Sequence, residues 1–236
     1  MNVLAFRHFE FDDPAAIEEW ALNGGHKLDI CDPSQGIREE WLEETDLLVI
    51  LGGPMSVYQE AEYPWLAEEK TFVRQAVDRG IKVLGICLGA QMLADVLGGV
   101  VTRHREKEIG WHRMHRTEER HPWLADLPES FTSFSWHGDT YTLPAGARRL
   151  AYSEACVEQA FAYGDHVLGL QFHLETTPAC MGQMLEKWSF ELQDKPYIQG
   201  ASDIRAGMAN SRPAVEWLHR ILSHAVTPSV CASDAL

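Results

Sequence analysis

The sequence predicts an α/β protein built on an open, mostly parallel sheet with helices on both faces. A smaller antiparallel strand section and a helical C-terminal extension follow it. Three observations carry that prediction. Strands alternate with helices over about the first 100 residues, the signature of βαβ units and a parallel sheet. Asp46–Leu51 (Asp-Leu-Leu-Val-Ile-Leu) is a continuous apolar run, as a strand buried on both faces requires. Beyond about residue 100 the pattern changes to shorter strand-like segments.

Each element has its own local reason. Asn2–Phe6 reads as a short buried strand. Pro14–Leu22 reads as a helix with Asp13 as N-cap, Pro14 at the first helical position and Asn23-Gly24-Gly25 as its stop. His26–Cys31 is the second strand, and Asp46–Leu51 is the third, ending in Gly52-Gly53-Pro54. Leu66–Arg79 places Phe72, Val73, Ala76 and Val77 on one helical face and stops at Gly80. Ile81–Ile86 is a further apolar strand that runs straight into Cys87, and Leu88–Leu97 is a helix ended by Gly98-Gly99. Phe131–Trp136, Arg148–Tyr152, Val157–Tyr163 and Val167–Phe172 read as shorter strands, with Gly164-Asp165 as the turn between the last two. From Thr177 the chain reads as helical, with Met181, Met184, Leu185 and Trp188 at helical spacing. Trp217, Leu218 and Leu222 mark a final helix, and such Met and Trp stripes are read as core. Thr227–Leu236 is expected to be a frayed tail.

Composition excludes some functions. There are 20 Lys plus Arg against 35 Asp plus Glu, a formal net charge of −15. A sequence-independent nucleic-acid binder needs a basic face, and so does a protein that docks on an anionic membrane. Small anionic or zwitterionic substrates remain open, because local groups meet them. The first 13 residues carry no basic end followed by an apolar run, and no stretch of roughly 18 apolar residues spans a membrane. The expected setting is cytoplasmic. The five cysteines (Cys31, Cys87, Cys156, Cys180, Cys231) are odd in number and form no C-x-x-C pair, against structural zinc and a disulfide framework.

Chemistry is concentrated at Gly85-Ile86-Cys87-Leu88-Gly89, a G-x-C-x-G pattern between an apolar strand and a helix. A tight strand-to-helix turn of this kind pushes the central side chain out at the carboxyl edge of the sheet. Small flanking residues let the backbone fold that sharply. The helix N-terminus favours a thiolate, and the N–H of Leu88 points where an oxyanion would form. Cysteine is also among the most buried and inert residue types, so pattern alone leaves both readings open. Gln171-Phe172-His173-Leu174-Glu175 follows another apolar strand. His173 would emerge at a strand end with Glu175 two residues on, able to hold the imidazole in one tautomer. For a lone H-x-E, the start of a solvated loop is the favoured reading. His112 and His115 stand at a helical spacing that two metal ligands could use, but no third ligand accompanies them, so no metal site is expected.

Taken together, Gly85–Gln91, Leu51–Val57 (Leu-Gly-Gly-Pro-Met-Ser-Val) and Gly169–Glu175 (Gly-Leu-Gln-Phe-His-Leu-Glu) resemble the class I, triad-type glutamine amidotransferases. The nearest flavour is the glutaminase domain of GMP synthase and its stand-alone relatives. Ser135-Trp136-His137-Gly138-Asp139 is similar to a fourth block of that family, and Glu108-Ile109-Gly110-Trp111 more weakly to a fifth. The resemblance implies a flavodoxin-like sheet, with a glutaminase domain over residues 1–190 and a helical extension over 191–236 packed on it. It implies Cys87 as nucleophile, His173 as general base and acid, and Glu175 as its orienting carboxylate. The N–H groups of Gly53 and Leu88 would form the oxyanion hole. Gln91 and the backbone around Trp136, His137 and Gly138 would hold the amino-acid end of glutamine. Gln91 could equally be a plain helix-face residue, and Trp136 core packing. One departure stands out: the family usually has Pro between the His and the Glu, where this chain has Leu174, which bears on the rigidity of that loop.

Such a triad needs no metal or organic cofactor. Nothing after Glu175 reads as a nucleotide site and there is no G-x-x-x-x-G-K-[ST], so the expected partner for the released ammonia is a synthetase subunit in trans. A γ-glutamyl peptide hydrolase using the same triad is the alternative. A non-enzymatic regulatory protein on the same fold is a third reading, against which the complete Cys87–His173–Glu175 set counts. A cysteine hydrolase of a different elbow-bearing α/β family is disfavoured by the late H-x-E pair and the Gly-Gly-Pro turn.

Overall fold

The computed structural model describes residues 1–227. In chain order the strands and helices are β1 (Asn2–Phe6), α1 (Ala15–Gly24), β2 (Lys27–Cys31), α2 (Trp41–Glu44), β3 (Leu47–Ile50), α3 (Trp65–Asp78), β4 (Lys82–Ile86) and α4 (Leu88–Val96). There follow β5 (Val101–Arg116), β6 (Ser130–Tyr141), β7 (Arg148–Ser153), β8 (Ala160–Tyr163), β9 (Val167–Leu170), α5 (Pro178–Lys187), α6 (Ala201–Ala206) and α7 (Ser211–Val226). The strands form one sheet in the order β2-β1-β3-β4-β9-β8-β7-β5-β6. Pairings from β2 to β9 are parallel, and those from β9 to β6 are antiparallel. The predicted α/β class and the change of pattern are therefore both present, and β9 is the strand at which the sheet changes direction.

Alternation along β1 and β3 decides which helix covers which face. Val3, Ala5, Leu47 and Val49 face a core shared with Ile17 and Trp20 of α1 and with Leu218, Ile221 and Leu222 of α7. Leu4, Phe6, Leu48 and Ile50 face the opposite core, closed by Phe72 and Val73 of α3 and by Met92 and Leu93 of α4. The C-terminal helix is thus part of the main core. It is tied to α1 by Trp20 Nε1 donating to Ser223 Oγ at 3.0 Å and by His219 Nε2 lying 2.7 Å from the Ala16 carbonyl. A third cluster joins Trp111 and Phe134 to Met181, Met184 and Leu185 of α5.

The larger differences from the sequence reading lie in the second half of the sheet. Strand β5, sixteen residues long, lies where no strand was predicted. Its first half (Arg103-His104-Arg105-Glu106-Lys107) is charged, and the pairing with β6 slips between Arg103 and Glu108, so no apolar alternation marks it. Strand β6 runs five residues beyond Trp136, whereas β8 begins only at Ala160 and β9 ends at Leu170. Helix α1 opens one residue later than expected: Pro14 holds the N-cap position without a side-chain cap, and Asp13 Oδ1 accepts from Ala15 N at 3.0 Å just before it. The tail expected to fray lies, beyond Thr227, outside the described residues.

Candidate active site

Cys87 is the single residue between β4 and α4. Its φ of 53° and ψ of −104° put a non-glycine residue in a region that costs strain, the mark of an elbow. The turn is tight because two glycines face each other: a methyl group on Gly85 would sit 2.5 Å from the Gly89 carbonyl carbon. One on Gly89 would sit 2.2 Å from the Ile50 carbonyl oxygen. Cys87 N donates to Leu170 O at 2.7 Å, which fastens the elbow to the end of β9. Leu88 opens α4, so its N–H has no acceptor within the helix. The thiol is buried, at 6% exposure.

Strand β9 pairs with β4, and both end at the same edge of the sheet, which brings the segment after β9 beside the elbow. His173 is fixed there by its backbone: its N–H donates to Phe134 O, and Ser133 Oγ donates to its carbonyl, both at 2.8 Å. Leu174 is buried in the main core. These anchors hold the loop without the proline usual in the family. His173 Nδ1 lies 2.5 Å from Glu175 Oε1, and its Nε2 is buried without a hydrogen-bond partner among the described residues. Burial pulls the His173 pKa down, but the charge of Glu175 and then that of Cys87 outweigh it and raise it well above the usual value.

The Gly52-Gly53 segment follows β3 at the same edge. A methyl group on Gly52 would lie 3.3 Å from His173 Cε1, tighter than ordinary contact, so this glycine lets the imidazole approach the loop closely. The Gly52 carbonyl is 2.9 Å from Nδ1 of His8, whose Nε2 is 3.0 Å from Oε1 of Glu69 on α3. Both side chains are completely buried. With an acceptor at each ring nitrogen, His8 is poised as an imidazolium. Burial opposes this, and the charge and hydrogen bond of Glu69 with the Gly52 carbonyl overcome it and raise the pKa.

Two cavities meet at Cys87. The first is lined by Gly53, Ser56, Cys87, Gln91, Trp136 and the Gly138-Asp139 segment, with Arg103, Lys107 and Glu191 at its polar wall. Gln91 Nε2 donates to Gln171 Oε1 at 3.0 Å, so this helix-face residue points into the sheet edge. Ser56 Oγ donates to Asp139 Oδ2 at 2.5 Å, and Arg103 lies 3.3 Å from the other oxygen. The His137 ring turns away, with Nε2 3.0 Å from Glu108 Oε2 and Nδ1 3.0 Å from the Asp139 carbonyl, so it supports the wall from behind. Burial works against the Glu108 charge, but the His137 hydrogen bond and charge hold its carboxyl below the usual range. The second cavity touches Cys87, His173 and Glu175 and is walled by Phe9, Asp12, Cys180, Met184 and Trp188.

The predicted residues Cys87, His173, Glu175, Gly53, Leu88, Gln91, Trp136, His137 and Gly138 thus converge on one edge of the sheet. A family model described as glutamine amidotransferase class-I matches residues 17–192. The chain belongs to the class-I glutamine amidotransferases. This amidotransferase is 33% identical over 215 residues to the glutamine amidotransferase-like protein YfeJ of Salmonella typhimurium, 87% of this chain and 90% of that protein. It superposes on a crystal structure of a glutamine amidotransferase from Thermotoga maritima with a TM-score of 0.86 at 33% identity, covering 96% and 99% of the two chains. It is 37% identical over 140 residues to the glutamine-hydrolysing GMP synthase of Dehalococcoides mccartyi, 59% of this chain but 25% of that protein. Hydrolysis of the glutamine side-chain amide is the chemistry of the family.

Several residues of the amidotransferase site escaped the sequence reading. His8 follows β1 by two residues, the same strand-end signal that singled out His173. Asp12 stands beside Asp13, which the sequence singled out only as a helix cap. Trp188 was assigned to the core, yet it lines both cavities. His112 and His115 lie on β5, where residues three apart point to opposite faces, so the helical spacing that suggested a ligand pair does not exist.

Proposed function

We propose that this amidotransferase hydrolyses glutamine through a γ-glutamyl thioester on Cys87 and releases glutamate and ammonia, the ammonia passing to a synthetase partner in trans. One observation carries the reading: a strained, buried cysteine beside a histidine whose Nδ1 is held by a carboxylate and whose Nε2 is unpartnered.

His173 takes the thiol proton, and Cys87 Sγ attacks the side-chain amide carbon. The oxyanion is met by the N–H groups of Gly53 and Leu88, and each such donor is worth roughly a hundredfold in rate or more. His173 then passes its proton to the nitrogen, the C–N bond breaks and ammonia leaves. Water enters, His173 takes its proton, and the thioester is hydrolysed to glutamate. Glu175 keeps Nδ1 protonated and favours the imidazolium formed in each half-reaction. Gln91, the Asp139 region and the backbone from Trp136 to Gly138 receive the amino-acid end of glutamine in the first cavity. A cytoplasmic, reducing setting suits a catalytic thiol. Residues 1–190 form the glutaminase domain in this reading, and 191–236 form its helical extension.

The match spans 90% of YfeJ and 25% of the Dehalococcoides mccartyi GMP synthase. The test is glutamate and ammonia release from glutamine, with glutathione as the γ-glutamyl peptide comparison. Ammonia from glutamine, abolished by Cys87→Ala, is the expected result. Release from glutathione alone, or turnover that survives Cys87→Ala, rejects it.

A further inference from the structure

Two cavities at one nucleophile raise the question of what the second receives. The two share Gly53, Cys87, Trp136 and Trp188, but otherwise divide the site. Gln91, His137, Gly138 and Asp139 line only the first, whereas His173 and Glu175 line only the second. When an amide is cleaved by a thiol, the leaving nitrogen departs toward the group that protonates it. That group is His173, so the leaving group faces the second cavity.

Asp12 is the unexplained residue of that cavity. It is 7% exposed, and its Oδ2 is buried with no hydrogen-bond partner among the described residues. It takes no part in the start of α1, where Asp13 accepts from Ala15 N at 3.0 Å and from Thr177 Oγ1 at 2.5 Å. Its position is set by a packed aromatic turn, with the Phe9 and Phe11 rings 4.8 Å apart and both against Trp188 at 5.3 and 5.0 Å. The groups that act on Asp12 are Glu175, His8, His173 and Arg7, and of these only Glu175 and His173 line the cavity. Its walls thus hold two carboxyl groups and no Lys or Arg.

We propose that the second cavity is a leaving-group subsite in which Asp12 receives the departing nitrogen, admitting ammonia or a small amine that bears no anionic group. The proposal rests on the hydrolytic reading above and names its substrate class: glutamine and γ-glutamyl amides of small amines, rather than γ-glutamyl amino acids and peptides. In the acylation step His173 supplies one proton to the nitrogen as the C–N bond breaks. The free amine then takes a second proton from water or from the Asp12 carboxyl and leaves as a cation beside a carboxylate. An amino-acid leaving group would bring its own carboxylate against Asp12 and Glu175 in a site with little water to screen it. Burial, followed by the neighbouring Glu175 charge, holds the Asp12 carboxyl up at about 7, as expected of an acid waiting for a cation.

Three substrates test this at pH 8, above the Asp12 value of about 7 so that its carboxyl is ionised: glutamine, γ-glutamylmethylamide and γ-glutamylglycine, compared by kcat/KM for glutamate release. The wild-type protein is expected to prefer the methylamide to γ-glutamylglycine by about tenfold or more. Asp12→Asn, which keeps the shape and removes the charge, is expected to shrink that ratio at least about threefold, and Asp12→Ser to do the same. Equal wild-type rates on these two substrates overturn the proposal, as does an unchanged ratio in a folded Asp12 variant. Should either variant fail to fold, the wild-type ratio decides alone. Hydrolysis of glutamine without discrimination rejects the subsite but keeps the hydrolase, whereas no release from any of the three rejects both.

Discussion

The carbonyl oxygen of Gly52 rests on the imidazole of His8, at 2.9 Å from Nδ1. The peptide that carries this oxygen also carries the N–H of Gly53, and a trans peptide points the two in opposite directions. Fixing the one therefore aims the other. Glu69 in turn fixes His8 from the far side of the ring.

This predicts a positioning role for His8. His8→Ala should lower kcat for glutamine by about tenfold or more while leaving KM within about twofold, because a misaimed donor is felt most in the transition state. Glu69→Gln, which can still orient the ring, should lose less. A change confined to KM would contradict the role.

The same pair predicts a pH dependence of stability. The folded His8 pKa is raised above its unfolded value, so its contribution is complete below about 6.5 and is lost as pH rises through the raised folded value. Urea midpoints of the wild type and His8→Gln should converge toward alkaline pH. Removing only Glu69, as Glu69→Ala, should cost about 3 kcal/mol near neutrality, since it leaves a buried charge unpaired.

Asp12 also lowers stability as pH rises, but as a penalty that grows and not as a contribution that is lost. Its folded pKa, about 7, is above the usual carboxylate value. The unfolded chain releases this proton at lower pH, so stability falls as pH rises from about 4 to 7 and the penalty persists above that range. Asp12→Asn should therefore be more stable than wild type at pH 8, by roughly 2–4 kcal/mol, and indistinguishable from it near pH 3. Thermal unfolding at the two pH values checks the difference.

The elbow predicts a stability cost of function. With φ at 53°, Cys87 holds a conformation that glycine adopts freely. Cys87→Gly and Cys87→Ala should both be inactive, with the glycine variant more stable than the alanine variant by about 1 kcal/mol. Denaturant unfolding of the two variants gives the difference directly. Glu175→Gln should keep the fold and lower kcat by roughly 10³-fold or more, through loss of the held tautomer.

Much of this was legible in residue order. The apolar runs at Leu47–Ile50 and Lys82–Ile86 announce strands because both faces are covered, even though Lys82 itself opens the second run. Cys87 and His173 stand out because each follows such a run. Strand β5 was not legible, since its charged half is a hairpin arm whose pairing with β6 is set by partner strand and not by alternation. Glu69 and Asp12 were hidden for a different reason, and so was the role of His8 despite its strand-end position. Their significance lies in what faces them across 44, 61 or more residues of chain, and no local pattern encodes that.

The place of β9 in the sheet also bears on how the protein is made. Val83 pairs with Val167, a separation of 84 residues (167 − 83), and β9 enters between β4 and β8 after both have been synthesised. Such distant pairing is slow to form, because a long loop must close before any contact rewards it. Until it closes, His173 has no station beside Cys87, so a nascent or partly folded chain has not assembled the site. On the hydrolytic reading proposed above, glutamine turnover therefore reports completed folding.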